Sequence, residues 1–219
     1  MPGQDPFGLK RSLFMLTDPD LPARAAIDVA FAGIRGGATH VVVRRPNDSA
    51  GMIHQIATHL SSTYHRSDWK MLVHDRVDVA LATHAQGAVL RLNGIPGGPA
   101  KEMLLGKERM MGVSVHTLGQ AQSAHLQKAD FVIVGNVYET ESHPGKTGLG
   151  LEELAFIVEN TFIPVIAIGG ITAERVDEVL STGAAGVAVI RAISRADDPE
   201  TATREIRKAL DAATWPHLS

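Results

Sequence analysis

A (β/α)8 TIM barrel forming a single domain is the fold the sequence predicts, on three observations. Eight short, almost wholly apolar runs recur along the chain, a helically patterned segment follows nearly every one, and no linker-like or low-complexity stretch divides the 219 residues. Apolar runs without alternation suit parallel strands covered on both faces, whereas half-exposed antiparallel strands alternate polar with apolar. A doubly wound sheet is the alternative, but it usually has fewer units and a glycine-rich turn after its first strand. Here TDPDLP follows the first run instead. The barrel is expected over 12–215, after a flexible tail over 1–11.

The elements follow in order. SLFML (12–16) is the first strand, and Ala26, Val29, Ala30 and Ile34 recur behind it at the spacing of one helical face. THVVVR (39–44) precedes Ile53, Ile56 and Leu60, and KMLV (70–73) precedes Val77, Val79 and Leu81. GAVL (87–90) leads into GGPAKEMLL (97–105), the weakest helical pattern of the set. MGVSV (111–115) is followed by Leu118, Ala121 and Leu126, and FVIVG (131–135) by a long polar loop and then Leu151, Leu154, Ile157 and Val158. PVIAIG (164–169) precedes Val176, Val179 and Leu180, and GVAVI (186–190) precedes Ile206 and Leu210.

Composition narrows the function classes. With 44% hydrophobic and 21% charged residues the chain can bury a core of ordinary size. A net charge of −3 without a lysine or arginine cluster argues against a nucleic-acid partner. The absence of cysteine excludes disulfides, thiolate metal ligands and a cysteine nucleophile. MPGQDPFGLKR lacks the apolar centre of a signal peptide, and no apolar run reaches the roughly 18 residues of a membrane span, so a cytoplasmic protein with no membrane partner is expected. Ten histidines show none of the HxH, HxxxH or HExxH spacings, so no metal cage is expected.

In a barrel the residues just after each strand gather at one face, where chemistry resides. GVSVHT puts His116 there, either as a satisfied turn histidine or as a proton-transfer group. GGIT after the seventh run and IRAIS after the eighth offer Gly169, Gly170, Ile190 and Arg191 to a phosphate through backbone N–H groups, and Arg191 adds a charge. The alternative for the two glycines is a tight turn into the next helix. Arg44 ends the second run and suits an anionic ligand. HDRVD places His74 at the mouth, with Asp75 as a helix N-cap or a site residue and Arg76 and Asp78 on the surface. The loop over 135–150 has the length of a lid, with Thr140, Ser142, His143 and Lys146 within reach of a bound anion.

Together HDRVDVA, GVSVHTLGQAQ, VGNVYETESHPGKTGLGLEEL and PVIAIGGITAERVDEVLSTGAAGVAVIRAI resemble the thiamin phosphate synthase and TenI family, from about Leu13 to Ile193. The resemblance implies a barrel of thiamin biosynthesis acting on a small thiazole phosphate. The synthase branch joins a thiazole phosphate to a pyrimidine diphosphate with magnesium. It carries Q-x-R-x-K after the second strand, N-D after the third and G-Q-D-D after the fourth. This chain has Val42, Arg44 and Pro46, then His74 and Asp75, then Arg91 to Gly94 with Asn93 and Gly94 in place of the carboxylates.

SVHT and VYET are similar to the TenI branch, the thiazole tautomerases. The resemblance therefore implies an isomerase that shifts one proton using His116, with no cofactor. Gly169, Gly170, Ile190 and Arg191 would hold the phosphate, the family usually having serine where Arg191 stands, and Arg44 would meet the substrate carboxylate. Two alternatives accompany it, the synthase with Asp75 at a magnesium ion and a non-catalytic regulator that keeps the phosphate pocket. The sequence leaves room for a homo-oligomer.

Overall fold

Strands pair in parallel without a break around the sheet of the computed structural model, which describes residues 8–63, 68–105, 109–140 and 147–214. They are β1 (Ser12–Leu16), β2 (His40–Val43), β3 (Lys70–His74), β4 (Gly87–Leu90), β5 (Met110–Val115), β6 (Phe131–Gly135), β7 (Val165–Ile168) and β8 (Gly186–Val189). Each neighbours the next, and β8 returns to β1 with Ser12 opposite Gly186 and Met15 opposite Val189. The outer layer holds α1 (Ala23–Gly36), α2 (Ala50–Thr63), α3 (Val77–Ala82), α4 (Gly97–Leu105), α5 (Leu118–Leu126), α6 (Gly150–Glu159) and α7 (Val176–Ser181). A one-turn helix α8 (Arg191–Ser194) follows β8, and α9 (Pro199–Ala212) closes the ring against α1. Even the weakest pattern, 97–105, is helical. Among the described residues no helix is long and apolar enough to cross a membrane.

Pleating sorts each strand's residues between two cores, since successive side chains point to opposite faces. Phe14, Leu16, Val42, Leu72, Val89, Met110, Phe131, Ile133 and Ile166 fill the barrel interior. Leu13, Met15, Val41, Val43, Met71, Val73, Val132 and Val134 pack outward under the helices. Interior space is tight: a Cβ at Gly112 would lie 2.3 Å from the Phe131 ring. Glycine there makes room for the aromatic side chain.

His40 joins the interior core. Its ring stacks on Phe14 with centroids 4.1 Å apart, and Nδ1 lies 2.9 Å from Thr39 Oγ1. Burial, with the charge of Lys70 second, pulls its pKa down to about 3, so it is uncharged at neutral pH. At the start of the described chain Leu9 is buried, and Arg11 donates to the Leu210 and Ala213 carbonyls at the end of α9. Residues 1–7 lie outside the described residues.

Candidate active site

The alternation that fills the barrel also builds its mouth. Two residues beyond inward-facing Leu16, Val42, Leu72 and Gly112 come Asp18, Arg44, His74 and Ser114, and two beyond Ile133, Ile166 and Ala188 come Gly135, Ile168 and Ile190. All of them line one cavity of about 300 Å³, together with His116 and Arg191. A second cavity of about 420 Å³ lies under the loop after β6 and the turns after β7 and β8, lined by Asn136, Thr140, Gly169, Gly170 and Arg175 among others. The two share His116, Gly135, Ile168, Ile190 and Arg191, so they form one continuous mouth.

In the larger cavity the turn after β7 needs its glycines. Gly169 has φ +105° and Gly170 φ +68°, and a Cβ at Gly169 would lie 2.5 Å from the Asn136 Cβ. β7 therefore stops at Ile168, one residue short of the expected run. Arg175, which the sequence did not single out, donates to the Gly170 carbonyl at 2.6 Å and lies 4.3 Å over the Tyr138 ring. Tyr138 in turn donates to Glu178 at 2.5 Å; burial first, and that carboxylate second, push its phenol above the usual range. The turn is thus pinned to the loop after β6. Thr140 Oγ1 is buried beside it with no partner among the described residues.

On the other flank the end of β1 is held electrostatically. The buried Asp18 carboxylate accepts from Ser194 Oγ at 2.7 Å and Arg195 Nε at 3.1 Å. Burial works to raise its pKa, but the Ser194 hydrogen bond, the Asp20 N–H and the charges of Arg195 and Arg191 outweigh it and hold the carboxyl below its usual range. Arg191 lines both cavities, and its guanidinium donates to Asp20 at 3.0 Å.

His116 is exposed where the cavities meet. Its backbone N–H donates to Gln120 Oε1 at 2.7 Å, and its ring Nδ1 bonds the Gly135 carbonyl. Since a carbonyl only accepts, Nδ1 carries the proton, and a neutral ring leaves its lone pair on Nε2. Gln120 was legible, because T-x-x-Q over 117–120 has the capping-box pattern, with Thr117 Oγ1 accepting from the Gln120 N–H at 3.3 Å.

Arg44 is half-buried, its backbone N–H donating to Thr17 Oγ1 at 2.8 Å and its carbonyl accepting from that hydroxyl at 3.1 Å. Its guanidinium makes no hydrogen bond among the described residues. Burial first and then Arg44's charge hold His74 at about 4, so it meets a ligand uncharged at neutral pH.

Asp75 corrects an expectation: Arg76, not Asp75, stands at the N-cap of α3, and it makes no side-chain cap bond. Asp75 has φ +59° and accepts from Arg91 Nε at 2.6 Å. Magnesium is bound through carboxylates plus substrate phosphates. Among the described residues no three His, Asp or Glu side chains come together, Asp75 is already paired, and Asn93 and Gly94 supply no carboxylate. These residues do not fit a magnesium ion. Ser142, His143 and Lys146 lie outside the described residues.

Residues 13–193 match the family described as thiamine monophosphate synthase. The chain belongs to that family. A thiamine-phosphate synthase of Pyrococcus furiosus is 36% identical over 202 residues, covering 92% of this chain and 96% of the relative. One from Roseiflexus sp. is 39% identical over 192 residues, covering 87% and 80%. A solved structure described as thiamine phosphate pyrophosphorylase from Pyrococcus furiosus superposes with a TM-score of 0.81 at 35% identity, over 93% of this chain and 97% of that one. The structure of a 3-hexulose-6-phosphate synthase, with a TM-score of 0.73 at 17% identity, shares the fold alone.

These findings overturn the expected tautomerase, and with it the isomerase assignment. Relatives matching most of the chain are named for a synthase, a transferase. The missing carboxylates after β4 concern how the thiamine monophosphate synthase fold handles charge here. They do not decide which bond the site makes.

Proposed function

We propose that the chain is a thiamine-phosphate synthase, a transferase that joins a thiazole phosphate to a pyrimidine diphosphate and releases diphosphate. One observation carries this from the geometry: two adjoining cavities, of about 300 and 420 Å³, open into each other at His116 and Gly135. That suits two substrates meeting end to end better than one substrate isomerising. Gly169, Gly170, Ile190 and Arg191 would hold the thiazole phosphate, with Thr140 beside them. Arg44 would face the diphosphate, and Ile133 and Ile168 give the rings an apolar wall. The thiazole ring nitrogen then attacks the carbon bearing the diphosphate; the N–C bond forms as the C–O bond breaks, and its electron pair leaves with the diphosphate. Forming that bond requires no proton shuttle, so His116 orients the rings. The lack of cysteine accords with action in the cytoplasm on these small molecules.

The purified protein, given both substrates, should form thiamin phosphate and diphosphate in equal amounts. No product under any divalent-ion condition would sink the proposal. His116→Ala should lower the coupling rate by less than about tenfold, against the roughly 10² to 10⁴ that a positioned acid/base group contributes. A loss in the latter range, measured as initial rate at saturating substrates, would return proton transfer to His116.

A further inference from the structure

Where synthases of this family gather carboxylates, this barrel has an ion pair. Asp75, at the end of β3, accepts from Arg91 Nε at 2.6 Å, and its side chain is 14% exposed against 58% for Arg91. A Cβ at Gly94 would lie 2.2 Å from Asp75 Oδ1. The carboxylate therefore occupies the room in which a side chain at 94 would begin, and glycine there supplies no second carboxylate. At the neighbouring strand end, after β2, Arg44 lines the 300 Å³ cavity with no hydrogen bond to its guanidinium among the described residues. Pairing leaves Asp75 and Arg91 neutral together, so Arg44 is the cation turned to the ligand at this end.

We propose that this end of the site receives its anionic substrate without a divalent cation, Arg91 standing as the fixed counter-charge of Asp75 while Arg44 supplies the positive charge that faces the substrate. The inference rests on the synthase assignment only in naming that anion a diphosphate. A guanidinium offers several donors in a planar fork that matches phosphate oxygens, and its charge needs no recruitment from solution. With Asp75 paired to Arg91, and with Asp18 and Asp20 of the cavity that Arg44 lines held by Ser194, Arg195 and Arg191, a cation brought in by the substrate meets no unpaired carboxylate among the described residues of this cavity.

Calorimetric titration of inorganic pyrophosphate into the full chain tests this, in EDTA and in millimolar magnesium. Binding is expected in EDTA, with an affinity that magnesium changes by less than about threefold, and magnesium alone should give no binding heat. Arg44→Gln should weaken pyrophosphate at least about tenfold, the usual worth of a hydrogen-bonded charge. Arg44→Lys, which keeps the charge and loses the fork, should fall between, and melting curves check that both variants fold. Arg91→Gln should unmask Asp75, weakening pyrophosphate in EDTA and making its binding respond to magnesium. Pyrophosphate binding that needs magnesium in the parent, or fails in both conditions, overturns the proposal, as does an Arg91→Gln protein that behaves as the parent does. Thiamin phosphate formed only with magnesium likewise overturns it and leaves the synthase assignment standing. Metal-free, Arg44-dependent pyrophosphate binding without product from both substrates does the reverse.

Discussion

Gly169→Ala is expected to lose inorganic phosphate binding by about 100-fold and to lower stability by roughly 2–4 kcal/mol. Two effects combine at this position. At φ +105° a side chain is strained whatever space surrounds it, and a Cβ would also lie 2.5 Å from the Asn136 Cβ and 2.7 Å from its Cα. Relief requires the turn after β7 to move away from the loop after β6, to which Arg175 and Tyr138 join it, and that movement would carry the backbone donors away from the phosphate proposed to bind there. The control is Gly119→Ala in α5, where a Cβ meets nothing within 4 Å. In a helix that change should be neutral or stabilising by up to about 1 kcal/mol. Urea unfolding and a phosphate titration on the two variants decide the matter. Parent-like phosphate affinity in Gly169→Ala would remove the turn from the binding site.

Acidification should destabilise the protein well before its carboxylates titrate. His40 and His74 are held at about 3 and about 4 in the folded chain by burial, with Lys70 and Arg44 respectively as the next contributors, and Asp75 opposes the shift at His74. Unfolded histidine titrates near 6.5. Below that pH the unfolded chain takes up protons that the folded chain refuses, so stability is full above about 6.5 and falls as pH drops toward 4. The slope reaches about 1.4 kcal/mol per pH unit for each histidine, or about 2.7 for both. Urea midpoints between about pH 7 and 5 isolate this window from carboxylates such as Asp18, whose lowered pKa places its contribution in more acid solution. His40→Leu keeps an apolar side chain beside Phe14 and should remove about one proton from the slope. An unchanged slope in that variant would assign the titration elsewhere.

How much of this was legible follows from which signals a buried parallel strand leaves. The eight strands were readable because helices cover one face and the barrel core the other, so runs such as FVIVG and GAVL stay apolar throughout. The same property hid which way each residue points. Nothing in SLFML distinguishes Phe14, inside the barrel, from Met15, under the helices, and nothing in THVVVR marks His40 as a ring that stacks in the core. The mouth was partly readable because polar residues after apolar runs mark strand ends: Arg44, His74, His116, Gly169 and Gly170 all line it.

By itself, then, the sequence determined the barrel, its family and most of the residues at its open face, since apolar runs and the polar positions after them are local properties of the chain. Tertiary structure alone decided what those residues do to one another. Asp75 pairs with Arg91, 16 residues on, rather than capping α3; Ser194 reaches Asp18 across 176 residues; and the Gly135 carbonyl accepts a hydrogen bond from His116 Nδ1 across 19. Each contact depends on which strand ends the closed sheet sets side by side, and that register is a property of the assembled barrel rather than of any stretch of sequence.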